Sequence, residues 1–256
     1  MPPTAGKLYL VPTPIGNMSD ITDRAIDTLK SVQIIACEDT RTSGNLLNML
    51  GISNRLISYH DFNETERSAQ LAKQIENGES IAIITDAGSP GISDPAYRLV
   101  RRAIDVGIEI IALPGPTAII PALTASGLPT DRFFFEGFLP PKSGSRKNRL
   151  ERLKDFEHTL VFYESPHRIY SMLVDAREVL GDRQACLARE ISKIHEEYRR
   201  GTLSAIIESL ENQDRTIKGE IVVIVEGYEV VRVKKNKYKP DNDSENDSDS
   251  ENDDKE

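Results

Sequence analysis

The chain has 256 residues, with 32 Lys and Arg against 41 Asp and Glu and a formal net charge of −9. Two cysteines far apart and four scattered histidines exclude a disulfide scaffold and argue against a bound metal. No run reaches the roughly 20 apolar residues of a membrane span, and no basic segment followed by an apolar core opens the chain, which predicts a cytoplasmic protein without membrane contact.

The acidic surplus is local. Residues 240–256 hold nine Asp and Glu and one Lys, a charge of −8, so the rest of the chain carries −9 + 8 = −1. A near-neutral body leaves room for a polyanionic partner. The acidic end is Asp/Ser/Asn/Glu of low complexity and cannot bury enough surface to order itself. The basic run 232–239 before it reads as a solvated linker, with an RNA-touching arm as the sharper alternative.

In chain order, strands are predicted at 7–12, 32–38, 55–59, 80–86 and 108–113, and helices at 20–30, 41–50, 63–77, 94–106 and 117–126. This alternation predicts an α/β fold, with a mostly parallel sheet carrying helices on both faces. In the fourth unit, Ile81-Ala-Ile-Ile-Thr-Asp-Ala-Gly-Ser-Pro-Gly-Ile-Ser-Asp-Pro95, Asp94 is placed as N-cap and Pro95 at the first helical position. Gly127-Leu-Pro-Thr130 breaks the rhythm. A smaller α+β unit follows: Phe133 to Phe138, with Phe133–Phe135 as core, a basic helix at 146–156, a strand at 159–163 and a helix at 167–180. It closes with a strand at 184–189, a helix at 203–211 and a strand at 219–226. The expected organisation is 1–128, 129–229 and a disordered tail, 230–256.

Three strands end in Pro/Gly loops: Pro12-Thr-Pro-Ile-Gly-Asn17, the 85–95 segment, and Pro114-Gly-Pro-Thr-Ala118. Loops at the carboxyl edge of a parallel sheet are where such sheets bind ligands, and glycine lets backbone approach a ligand closely. The spacing matches neither the dinucleotide fingerprint nor a phosphate loop.

Further motifs follow: Cys37-Glu-Asp-Thr-Arg41, Phe162-Tyr-Glu-Ser-Pro-His-Arg168, Ala188-Arg-Glu190, His195-Glu196 and Lys218-Gly-Glu220. Together, from about Lys7 to Gly227, the chain resembles the tetrapyrrole methylase superfamily, and within it the branch that methylates a cytidine ribose 2′-hydroxyl in the decoding region of 16S rRNA. The resemblance implies S-adenosylmethionine as methyl donor, bound in a cleft between two α/β units, a homodimer, and the small ribosomal subunit as partner. Pro12, Asp86, Ala87, Gly88, Ser89, Pro114, Gly115, Pro116 and Thr117 are the expected cofactor-contacting loop residues. Ile92, Phe138 and Tyr163 are the expected apolar floor.

A ribose hydroxyl is a weak nucleophile, and a positioned base would help. Asp39 or Glu38, at the end of the second strand, could take the proton, and Arg41 could hold a phosphate. A purely structural Asp–Arg pair is the alternative. His60, beside Asp61, is a second candidate. RNA contact is expected from Lys142, Arg146, Lys147, Arg149 and Arg152, where Arg146, Arg149 and Arg152 share a helical face, and from Lys193. A small-molecule methylase of the same fold and a non-catalytic assembly factor are the competing readings.

Overall fold

A computed structural model describes residues 6–213, 215 and 217–229. The expectations for the tail, including the 232–239 arm, lie outside these residues. Five short strands form the first sheet: β1 (Lys7–Leu10), β2 (Ile34–Cys37), β3 (Leu56–Ser58), β4 (Ile81–Ile84) and β5 (Glu109–Ala112). Their order is β3-β2-β4-β1-β5, and every pair is parallel. β2 and β4 are buried along their whole length because both faces are covered.

The two-residue period of a strand divides these side chains between two cores. Ile34, Ala36, Ile81 and Ile83 face α3 (Glu64–Glu76) and α4 (Ala96–Asp105). Ile35, Cys37, Ala82 and Ile84 face α1 (Asp23–Ser31) and α2 (Thr40–Met49). From β1 the chain leaves through α1 toward β2, while from the adjacent β4 it leaves through α4 in the other direction, to β5. Strand connections that diverge in this way open a crevice at the carboxyl edge.

Helix starts follow local chemistry. Thr22 caps α1 by accepting the Ala25 N–H at 3.1 Å, and Asp39 caps α2 by accepting the Arg41 N–H at 2.8 Å. α4 begins one residue later than expected, at Ala96, with Pro95 as its cap residue. The Asp94 carboxylate still accepts the Ala96 N–H at 2.8 Å.

The second sheet is mixed. β6 (Phe133–Phe138), β7 (Thr159–Glu164), β8 (Gln184–Arg189), β9 (Glu197–Thr202) and β10 (Ile221–Val225) stand in the order β6-β7-β10-β8-β9. Only β6–β7 is parallel. One face packs on α6 (Ser143–Glu151), α7 (Ile169–Leu180) and α8 (Leu203–Glu211). The other face is covered by α5 (Ile119–Thr124), which precedes the 127–130 break in sequence. The two halves therefore share a core.

Further details differ from expectation, among them the basic helix expected at 146–156, which is α6 at Ser143–Glu151. Phe133 is 41% exposed on the edge strand rather than core. β9 occupies a stretch to which the sequence assigned no element. Both cysteines are free and buried, and burial raises both thiol pKa values, so neither is a poised nucleophile.

Candidate functional site

The exit loops of β1, β4 and β5 are tied to each other before they can meet a ligand. Thr13 and Gly88 exchange two backbone hydrogen bonds, at 2.9 and 3.0 Å. The Thr13 hydroxyl donates to the Thr85 carbonyl at 3.0 Å, and the Ser89 hydroxyl donates to the Pro116 carbonyl at 3.0 Å. Gly88 holds φ +83°, a region L side chains rarely adopt. Its N–H and C=O are spent on Thr13, so it shapes the loop and offers the cleft no backbone pair.

Gly115 also serves packing. A Cβ there would come within 2.8 Å of Pro12 Cβ. Pro12, Pro114, Gly115 and Pro116, expected to contact a cofactor, lie outside the cleft lining; Pro12 and Gly115 pack on each other, and Pro116 accepts the Ser89 bond. The other eight expected residues, Asp86, Ala87, Gly88, Ser89, Ile92, Thr117, Phe138 and Tyr163, all line one cleft of about 420 Å³.

That cleft lies at the divergence of β1 and β4 and is closed by the second sheet. β6 bulges between Phe135 and Gly137, and Gly137 takes φ +77°, a conformation L side chains rarely adopt. The apolar wall is aromatic. Tyr163 packs on Phe138 at 5.5 Å and on Phe135 at 4.9 Å between ring centroids. Burial pushes the Tyr163 phenol up to about 12, so it stays protonated. Ile92 and Phe138 are exposed, facing the opening.

The charged lining has one sign. Glu38, Asp86, Asp94, Glu164 and Glu220 line the cleft, and no lysine or arginine among the described residues does. Three of these carboxylates are committed. Asp94 accepts N–H bonds from Gly91, Ile92 and Ala96. Glu164, its side chain fully buried, accepts from the Ser165 N–H at 2.7 Å and from Arg168 at 2.9 Å. Glu220 accepts from Lys193 at 2.9 Å. Glu38 and Asp86 are exposed at the cleft mouth and have no cation among the described residues; Asp86 accepts the Asp39 N–H at 3.4 Å, and partial desolvation first, then other carboxylates, raises both pKa values. Such a cleft suits an apolar, positively charged ligand and repels phosphate.

Sequence reasoning assigned no role to Glu164, Ile191, Gly219, Glu220 or Val222, all cleft residues. The Glu-Ser-Pro and Lys-Gly-Glu motifs were the available signal. Gly219 is glycine because a side chain would run into Glu190, whose carboxylate also accepts the Glu220 N–H at 2.9 Å.

The proposed acid–base residues separate. Asp39 is the α2 cap and binds Arg41 at 2.9 Å, which pulls its pKa to about 2. It does not line the cleft, and it pairs with Arg41. His60 also lies outside the cleft lining; its Nε2 is 3.3 Å from Asn63 Nδ2 and its buried Nδ1 has no partner. Glu38 alone of the four reaches the cleft.

In the basic segment, the placement of Arg146 requires correction. Arg146 is 2% exposed, not on a solvent face, and pairs with Asp175 at 2.7 Å. Arg149 is clasped by Glu136, and Lys147 by Glu178. Lys193 spans Glu190 and Glu220 at 2.8 and 2.9 Å, and its stem lies against Gly16. Only Lys142 and Arg152 of the six have no carboxylate partner among the described residues.

Comparisons with known proteins agree with this architecture. The model of the family Tetrapyrrole (Corrin/Porphyrin) Methylases matches residues 7–207. Ribosomal RNA small subunit methyltransferase I of Mesorhizobium japonicum is 51% identical over 224 residues, 87% of this chain and 76% of that protein. The protein of the same name from Vibrio cholerae is 48% identical over 229 residues, 89% of this chain and 80% of its own length. The crystal structure of uroporphyrin-III-C-methyltransferase from Thermus thermophilus superposes with a TM-score of 0.56 at 19% identity, covering 87% of this chain and 92% of that one.

Proposed function

The chain belongs to the tetrapyrrole (corrin/porphyrin) methylase family, whose methyl donor is S-adenosylmethionine, and from that premise we propose that it methylates small-subunit ribosomal RNA at the ribose 2′-hydroxyl of a cytidine in the decoding region. The observation that carries the reading is the position of Glu38: an unpaired carboxylate of raised pKa in an acidic cleft with an aromatic wall. The residues present fit the donor. Ile92, Phe138 and Tyr163 offer an apolar surface for its adenosine, and the unpaired carboxylates complement a sulfonium and an α-ammonium.

When bound, the donor supplies an electrophilic methyl carbon on a sulfonium. Glu38 then acts as general base on the acceptor hydroxyl. Its raised proton affinity favours that role over Asp39, which is too weak a base at about 2. The Thr13–Gly88 and Ser89–Pro116 ties hold the loops rigidly, and alignment of the reactants contributes much of the rate. Lys142 and Arg152 remain as phosphate contacts. The acting species in this reading is a homodimer; Tyr97 and Ile104, seven residues apart on α4, are exposed apolar side chains on one helix face that suit a partner surface.

Identity of 48–51% to proteins named for small-subunit rRNA favours RNA over a porphyrin, since the porphyrin enzyme is alike in fold only. The test is transfer of tritiated methyl from S-adenosylmethionine to small ribosomal subunits and to a porphyrinogen. Label in the RNA supports the reading, and label only in the porphyrinogen rejects it.

A further inference from the structure

A second concavity beside the cleft is not used by the reading above. It measures about 350 Å³ and opens between the β1 exit loop and α2. Thr85 and Asp86 line both spaces and form the partition between them.

Its chemistry is specific. Ser43 is 2% exposed; its Oγ lies near the Cys37 thiol, a weak partner, and makes no hydrogen bond to any other group. The side chains of Thr42 and Asn45 are exposed, line the space and make no hydrogen bond among the described residues, so both are open to a ligand. Met18, Leu46 and Met49 supply soft apolar surface, and Met49 is 66% exposed. No lysine or arginine among the described residues lines it, which disfavours a phosphate there. The neutral hydrogen-bonding groups of Thr42, Ser43 and Asn45, with Asp86 at the partition, beside thioether and aliphatic surface suit a planar heterocycle.

We propose that this concavity seats the unstacked nucleobase of the nucleotide that receives the methyl group. The proposal rests on the RNA-methylation reading and adds where the base is held. Sequence-specific enzymes on RNA read splayed bases on their Watson–Crick edge. The Asn45 amide offers an acceptor and donors on one group, the pattern that cytosine N4–H₂ and N3 require. A base seated there puts its ribose at the Thr85–Asp86 partition, beside Glu38.

The methionines provide the test. Met18 and Met49 line the concavity, whereas Met172 is fully buried in the second core and serves as control. The full chain, labelled with ¹³C at methionine methyls and saturated with S-adenosylhomocysteine, is titrated with cytidine 5′-monophosphate. Saturable shifts at Met18 and Met49, with Met172 unmoved, are expected. Asn45→Leu should weaken that titration and lower kcat/KM on small-subunit rRNA by about tenfold or more, with the affinity for S-adenosylmethionine unchanged. Unmoved Met18 and Met49 methyls, together with parental kcat/KM for Asn45→Leu, overturn the seat while the parent's methyl transfer to rRNA leaves the function standing. A parent that transfers no methyl to rRNA rejects the function itself, whatever the methionines do.

Discussion

Glu38 and Asp39 are chain neighbours whose carboxyl groups are turned to opposite tasks. Asp39 is bound to the Arg41 backbone and guanidinium and held at about 2, while Glu38 faces the cleft and is raised by burial and by Asp86. Glu38→Gln should cut turnover by about 10²-fold or more, with S-adenosylmethionine binding retained. Single-turnover kinetics at saturating RNA measures this; a near-parental rate removes Glu38 from the mechanism.

The pH dependence follows with its sign. The base must be ionised, so activity rises as pH passes upward through the Glu38 pKa, and the raised value moves that limb above the ordinary glutamate range. Glu38→Gln should erase the limb. For Asp39 the folded pKa is depressed from 3.8 to about 2, so its stabilising contribution is full above pH 3.8 and is lost as pH falls through 2. Asp39→Asn should unfold at lower urea than the parent at neutral pH, the two converging in acid. It should keep turnover within about threefold of the parent.

Gly115 and Pro12 should couple. Gly115→Ala forces a Cβ against Pro12 and should both destabilise the fold and weaken S-adenosylmethionine binding. Replacing Pro12 by glycine in that background should relieve the clash, giving a double-mutant coupling of about 0.5–3 kcal/mol. Strict additivity in urea denaturation would show that the two do not press on each other.

The arginines of α6 should divide by role. Arg146→Ala removes the 2.7 Å partner of the buried Asp175, leaving it Lys147 at 3.7 Å and the Ser143 hydroxyl at 3.0 Å, and should cost about 3 kcal/mol of stability. Lys142→Ala with Arg152→Ala should leave stability unchanged and flatten the salt dependence of RNA binding by about 0.7–0.9 per lost contact. Deleting residues 240–256 removes eight net negative charges and should raise RNA affinity at low salt. A salt slope identical to the parent's in the Lys142/Arg152 variant places the RNA surface elsewhere.

What the sequence made legible follows burial. β2 and β4 are covered on both faces, so they read as unbroken apolar runs. β9 is an edge strand of Glu-Tyr-Arg-Arg-Gly-Thr and carries no such pattern. The Pro/Gly loops announced the site, but a glycine in sequence does not say whether its missing side chain admits a ligand or a neighbour. At Gly115 it admits Pro12. Arg146 looked like part of a basic face because Asp175 is 29 positions away and only folding brings them together. Glu164 and Glu220 reach the cleft through β7 and β10, paired antiparallel in the second sheet, a pairing no local pattern reveals.

The most direct measurement is a map of 2′-O-methyl groups on small-subunit ribosomal RNA, made from cells with the protein, without it, and with Glu38→Gln in its place. A ribose methyl on one decoding-region cytidine, present with the parent and missing in the other two, is the predicted result. An unchanged map, or a methyl group gained on a base instead of a ribose, contradicts it.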